Sequence, residues 1–258
     1  MTNGNIVHVV GTGTIGEPLI GLLASLKKEL CIDEVTFSKR TPLLTDRSKV
    51  KNLMKRGAKL CVPKEKFSKF KEIDLNPDYE NEEVISRATI VIDCTPVGLE
   101  NKKQYYERLE DGVKCFVAQG SEFGFGKMYA FGINDEALTI NDKYIQIVSC
   151  NTHNIAVIIK TLAINGKNSN LSEGRFLCLR RANDLSQNSG FIPSPKVENH
   201  QDKSFGTHHA RDVYRLYKTI GLELDLFSSS IKLNTQYMHS IWFDLHLKDR
   251  IDEDEVKE

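Results

Sequence analysis

Hydrophobic and polar positions in the first half of this chain switch repeatedly between a strand-like and a helix-like period. Residues 5–10 form a short apolar run that ends in glycines, and residues 18–30 follow with helical spacing. Glu34–Ser38 reads as a second strand and residues 48–56 as a second helix. Residues 88–94 (ATIVIDC) are mostly apolar, the pattern of a strand covered on both faces. Residues 102–109 then read as helix and residues 113–118 as a further strand. Such alternation predicts an α/β fold with a parallel, doubly wound sheet.

The second half has a different texture. Residues 144–149 are strand-like and run into Cys150. Residues 175–180, 222–227 and 237–247 are further strand candidates, separated by loops rich in Ser, Asn, Pro and His. Their spacing predicts a smaller α+β domain with a mostly antiparallel sheet, giving domains at residues 1–149 and 150–258. Residues 249–258 are almost wholly charged and read as a solvated end.

Gly11-Thr12-Gly13-Thr14-Ile15-Gly16 is a G-x-G-x-x-G between the first strand and first helix, the context of a Rossmann dinucleotide site. The first glycine permits a tight turn and the second lets a pyrophosphate approach the backbone. The third lets helix and strand pack closely, with the N-terminal N–H groups of the helix aimed at the phosphate. Gly11, Gly13, Thr14, Ile15 and Gly16 are therefore candidate cofactor contacts. An acidic residue at the end of the second strand favours NAD, through the ribose 2′-OH. Here Ser38, Lys39 and Arg40 offer a hydroxyl and two cations, which suit the 2′-phosphate of NADP, with NAD as the alternative.

Composition limits the partners. Lys+Arg and Asp+Glu both number 35, so the formal net charge is zero and nothing favours nucleic acid or an anionic membrane. No apolar run approaches the roughly 20 residues that span a bilayer, so a cytoplasmic location is expected. The six cysteines are scattered without CxxC spacing, and no carboxylate or cysteine completes a zinc set around His208 and His209, so no metal is expected.

Five segments carry a more specific signal. Val91-Ile92-Asp93-Cys94-Thr95-Pro96, Val148-Ser149-Cys150-Asn151-Thr152, Arg180-Arg181-Ala182-Asn183-Asp184, His208-His209-x-x-Asp212-Val213 and Met238-His239 occur in that order. Together they resemble the archaeal-type (class II) glyceraldehyde-3-phosphate dehydrogenases, over a span from the first strand to about Leu247. The resemblance implies that Cys150 is a nucleophile and His239 a general base. It places Asn151, Thr152, Arg181, His208 and His209 on the substrate and phosphate side, Thr95 and Pro96 beside the cofactor, and Gly120 in a glycine-rich loop between the domains. It further implies an aldehyde or phosphorylated small-molecule substrate, inorganic phosphate as acyl acceptor, and a homo-oligomer.

The chemistry fits those residue types. A Cys150 thiolate attacks an aldehyde, hydride departs to a nicotinamide to leave a thioester, and phosphate releases an acyl phosphate. His239 takes the hydroxyl proton as hydride leaves. Cys150 is expected where a strand meets a helix N-terminus, whose dipole favours a thiolate.

Three features depart from the family's pattern. His153 stands three residues beyond Cys150, either as a new base or as a space-filling side chain. Glu17 occupies a usually basic position, and like-charge repulsion there weakens cofactor binding unless the side chain points outward. The chain also ends soon after the His239 segment, where the family's pattern continues, so a subunit partner is expected to cover the exposed sheet. Two alternatives stay open: a CoA-acylating semialdehyde dehydrogenase, and a non-catalytic dinucleotide-binding homologue.

Overall fold

The structure is a computed structural model that describes residues 4–109, 111–120, 123–182, 195–235 and 238–257. The chain groups into two units: Met1–Lys127 with Asn141–Gln146, and Met128–Ile140 with Ile147–Glu258. The segment Met128–Ile140, upstream of the boundary drawn from sequence, belongs to the second unit. Among the described residues no helix is long and apolar enough to cross a membrane.

In the first unit the strands are β1 (Ile6–Val10), β2 (Glu34–Ser38), β3 (Lys59–Val62), β4 (Tyr79–Glu80), β5 (Ile90–Asp93) and β6 (Cys115–Gln119). The sheet order is β4-β3-β2-β1-β5-β6, and all five of these pairings are parallel. Strands β7 (Lys127–Tyr129) and β8 (Tyr144–Ile147) continue the sheet beyond β6, with β8 adjacent to it. The chain leaves β1 for β2 on one side and later returns to β5 on the other, which makes the carboxyl end of β1 a topological switch point.

Helices α1 (Gly16–Ser25), α2 (Arg47–Lys55) and α3 (Phe67–Glu72) pack around Val7, Val9, Val35, Phe37 and Leu60 on one sheet face. Helix α4 (Asn81–Arg87) and the region of α5 (Gly98–Gln104) cover the other, around Ile6, Val91, Phe116 and Phe125. Side chains alternate along a strand, so His8, Thr36 and Ser38 share the α4 face, with His8 opposite Thr36 in register. Helix α1 is shorter than the periodicity suggested, ending at Ser25 rather than residue 30. The helix read at residues 102–109 lies earlier, as α5, followed by a 3₁₀ turn at Tyr106–Arg108.

The second unit is built on α6 (Cys150–Ala163), the short hairpin β9 (Ile164–Asn165) and β10 (Asn168–Ser169), and α7 (His208–Lys218). Its four-stranded sheet has the order β12 (Lys196–Val197), β13 (Leu226–Lys232), β11 (Leu171–Arg180) and β14 (Ser240–Leu247). β13 pairs with β11 in parallel, while β12–β13 and β11–β14 are antiparallel, so the sheet is mostly antiparallel as anticipated. The strand read at residues 222–227 is displaced to Leu226–Lys232. Of the strand read at 237–247, Tyr237 lies outside the described residues.

Helix α7 was not anticipated. Its buried residues, His209, Ala210, Asp212, Val213, Leu216 and Tyr217, fall on one helical stripe, but polar members obscure the apolar pattern. The α6 stripe of Ile155, Ala156, Ile159 and Ala163 packs in the same core, and the Tyr217 hydroxyl donates to the Ala156 carbonyl at 2.7 Å. The charged run near the C-terminus forms a short helix, Glu253–Lys257.

The glycine turn explains the start of α1. Gly11 has φ 97°, and a Cβ on Gly16 would lie 2.1 Å from the Gly11 carbonyl oxygen. A Gly16→Ala variant is expected to lose about 2 kcal/mol or more through that overlap, read as a lower urea midpoint at unchanged slope.

Candidate active site

At the switch point the first unit has a pocket of about 660 Å³. Its lining includes Gly11, Thr12, Ser38, Lys39, Arg40, Thr95 and Pro96, and it extends to Asn81, Asn101 and Tyr106. Gly13, Thr14, Ile15 and Gly16 stand on the turn that follows, outside the lining, and a Cβ on Gly13 would meet open space. The first residues of α1 have no side-chain cap, since Ile15 at the N-cap accepts no bond. A backbone open to close approach at Gly13, before a helix N-terminus with no side-chain cap, is what a pyrophosphate needs, so these residues fit a dinucleotide.

The loop carrying Thr95 and Pro96 is held by Asp93 at the end of β5. This buried carboxylate accepts from the Thr95 N–H (2.8 Å) and hydroxyl (2.6 Å) through Oδ1. Through Oδ2 it accepts from Asn101 Nδ2 (2.8 Å) and the Tyr106 hydroxyl (2.5 Å). Burial and the adjacent Asp93 push the Tyr106 phenol well above its ordinary value, so it stays a donor. The apolar run that suggested a strand gave no sign that its terminal Asp organises a loop.

The three residues proposed for the 2′-phosphate have different fates. Arg40 is exposed on the pocket wall. The Lys39 side chain is 7% exposed and its ammonium pairs with Asp46 at 2.5 Å. Ser38 is buried and bonded to His8 and Asn81. Lys64 and Lys66 also line the pocket, as do Glu65, Glu80 and Glu82.

Glu17 does not confront the pyrophosphate turn as a lone charge. Lys49, from α2, lies 3.5 Å from its carboxylate and donates to the Thr12 carbonyl at 3.3 Å. A cation thus reaches the turn from a helix far along the chain. No local sequence pattern marks it.

In the second unit Cys150 is the first residue of α6 and is exposed. Ser149 caps the helix, accepting from the Thr152 N–H at 3.4 Å, and the two hydroxyls are 2.8 Å apart. Thr152 is fully buried and serves this cap. His239, half-buried just before β14, places Nδ1 4.0 Å from the Cys150 sulfur and 3.2 Å from Asn151 Oδ1. Asn151 and His209 are each 2% exposed and meet at 3.5 Å. Burial lowers the His209 imidazole to about 3, so it is neutral and no cationic phosphate ligand.

His208 stacks on His209 with ring centroids 4.0 Å apart; it is half-buried, and burial lowers its pKa as well. Arg180 ends β11 and bonds Glu198 at 2.7 Å, and Arg181 follows half-buried beyond the strand. The matched residues Asn183 and Asp184 lie outside the described residues. Gly120 keeps φ 86° and its carbonyl accepts from Gln146 at 3.3 Å, outside the lining of the first unit's pocket. His153 Nε2 donates to the Phe131 carbonyl at 3.0 Å, so this ring anchors the 128–140 segment.

No family model matches the chain. Curated relatives named glyceraldehyde-3-phosphate dehydrogenase match most of it. The protein of Pyrobaculum islandicum is 26% identical over 97% of this chain and 70% of its own length. That of Pyrobaculum calidifontis is 27% identical over 93% and 66%, and that of Saccharolobus islandicus 26% over 78% and 56%. The chain is similar to these archaeal dehydrogenases, identical at about a quarter of the matched positions. It spans 70%, 66% and 56% of the length of these three relatives.

His8 of β1 is buried in the first unit with both ring nitrogens partnered, and no local pattern in the sequence marks it. Nδ1 lies 2.8 Å from the Thr36 hydroxyl and Nε2 2.7 Å from that of Ser38, and burial lowers the imidazole to about 3. An unfolded chain protonates these histidines below their ordinary 6.5, whereas the folded chain holds His8 and His209 neutral down to about 3. The unfolded state therefore binds more protons in that window, and stability falls as pH drops from 6.5 towards 3. Urea unfolding at pH 7 and pH 5 should show a loss of order 2 kcal/mol for each of the two histidines, and His8→Asn should remove its share.

Proposed function

We propose that this chain is a nicotinamide-dependent, phosphorylating aldehyde dehydrogenase that works through a cysteine thioester. One observation carries the reading: an exposed cysteine begins a capped helix, with the His239 imidazole 4.0 Å from its sulfur. The uncapped glycine turn and pocket of the first unit support dinucleotide binding. The names of the archaeal relatives support the substrate class.

Cys150 sits where the α6 dipole favours negative charge at sulfur. Its thiolate adds to the aldehyde carbon, and the carbonyl oxygen gains a proton to give a hemithioacetal. A bound nicotinamide supplies the hydride acceptor. As hydride leaves, the His239 imidazole takes the hydroxyl proton and a thioester remains. An inorganic phosphate oxygen then attacks that carbonyl, the C–S bond breaks, and the thiolate is restored beside an acyl phosphate. Arg181 and His208 are the proposed phosphate donors. With its pKa lowered, His208 contributes an N–H rather than a full charge.

NADP is the proposed cofactor, with Arg40 rather than Lys39 as the cation for its 2′-phosphate, because Lys39 is committed to Asp46. Arg40→Ala should weaken NADP binding about tenfold or more, as expected for a charge-assisted bond, and leave NAD binding unchanged, as measured by titration calorimetry.

The deciding assay is NADPH formation by purified protein with glyceraldehyde 3-phosphate and phosphate, beside Cys150→Ser. Activity that depends on phosphate and vanishes in the variant supports the reading. Activity without phosphate dependence moves the acyl acceptor to a thiol such as CoA. Cofactor binding with no turnover makes the chain a non-catalytic binder.

A further inference from the structure

Below Cys150 a file of polar groups runs from His239 into the core of the second unit, and each link fixes the direction of the next. The polarity starts at groups with only one possible role. The Ala210 N–H donates to Ser228 Oγ at 3.0 Å, and the Ser228 hydroxyl donates to the Thr207 carbonyl at 3.4 Å. Ser228 Oγ and Thr207 Oγ1 lie 2.7 Å apart and either can donate, so the direction is set from the other end of the file, where the Asn151 amide nitrogen can only donate. Thr207 Oγ1 then accepts from His209 Nδ1–H at 3.0 Å. His209 is neutral, so its Nε2 carries a lone pair and accepts from Asn151 Nδ2 at 3.5 Å. That contact orients the Asn151 amide and leaves Oδ1 facing His239 Nδ1 at 3.2 Å. A carboxamide oxygen only accepts, so the His239 Nδ1 carries the proton.

We propose that Asn151 and His209 are positioning residues that hold His239 in its Nδ1–H tautomer, which makes Nε2 the nitrogen that takes the substrate proton. With its proton committed to Asn151 Oδ1, the Nδ1 that lies 4.0 Å from the Cys150 sulfur has no lone pair and does not deprotonate it. The two ring nitrogens thus have separate tasks. One holds the ring on Asn151 and the other receives the hydroxyl proton as hydride leaves. His209, matched by sequence to the substrate side, acts here through Asn151 from a position that substrate does not reach. The catalytic consequence rests on the dehydrogenase reading above, whereas the tautomer does not.

The test is the long-range ¹H–¹⁵N spectrum of the full chain labelled at histidine, in which each neutral imidazole reports its tautomer. The His239 signals are assigned by their loss in His239→Asn. The wild type should show His239 as Nδ1–H. His209→Leu, which removes the acceptor for Asn151, should move His239 towards Nε2–H, and His209→Gln, which restores an acceptor oxygen, should return it. Nε2–H in the wild type overturns the proposal without any variant having to fold, as does an unchanged spectrum in folded His209→Leu. In the NADPH assay His209→Leu should lower kcat about tenfold to 10³-fold, as for groups that orient a base, with KM for the aldehyde within about twofold. A correct tautomer in a chain that turns over nothing leaves the proposal standing and removes the reading of function.

Discussion

The first turn of an α-helix leaves backbone N–H groups without partners, and how three helices meet that demand shapes both candidate sites. At α1 nothing in the side chains answers it, because Ile15 stands at the N-cap and glycines surround it. The Gly13 carbonyl takes the Glu17 N–H, Pro18 has no N–H to satisfy, and Lys49 adds a cation beside the same turn. At α6 Ser149 answers it, which fixes the helix start at the exposed thiol of Cys150. At α7 Ser228 answers from a neighbouring strand, accepting from the Ala210 N–H. One backbone requirement, met in three ways, thus gives a glycine turn without a side-chain cap, a fixed nucleophile and the root of a polar chain.

Two histidines lie in the interior, and each is tolerated because both ring nitrogens have partners. His8 is bonded to Thr36 and Ser38, and His209 to Thr207 and Asn151. Desolvation keeps both neutral. A neutral imidazole must donate through one nitrogen and accept through the other, so a buried one transmits direction along a hydrogen-bond chain. His8 does this between two hydroxyls under α4, ending at a pocket residue, Ser38. His209 does it between a hydroxyl and the amide beside the thiol. The cost of burying these groups is met by full partner sets, which ties the placement of Ser38 and Asn151 to the integrity of each core.

Charge follows a similar logic near the dinucleotide pocket. Lys39 and Asp46 neutralise one another where water is scarce, and Glu17 is answered by Lys49. A cation adjacent in sequence to the pocket is thus consumed by structure, while one from a distant helix serves the turn.

Much was legible from the residue order alone, for physical reasons that act locally. The parallel sheet showed in the alternation of strand and helix periods, because each β-strand–helix unit buries its own apolar faces. The glycine turn was legible because only glycine tolerates φ near 97° at Gly11 and the approach of Gly16 to the Gly11 carbonyl. Cys150 stood out through its flanking segment, and the structure sets it at a helix start. Helix α7 was missed because His209 and Asp212 interrupt its buried stripe with polar residues, whose partners lie elsewhere in the chain. The buried state of His209, the diversion of His153 to Phe131, the loss of Lys39 to Asp46 and the rescue of Glu17 by Lys49 were invisible for the same reason. Each is decided by which side chains meet across elements distant in sequence, and burial and hydrogen-bond direction exist only once those elements have packed.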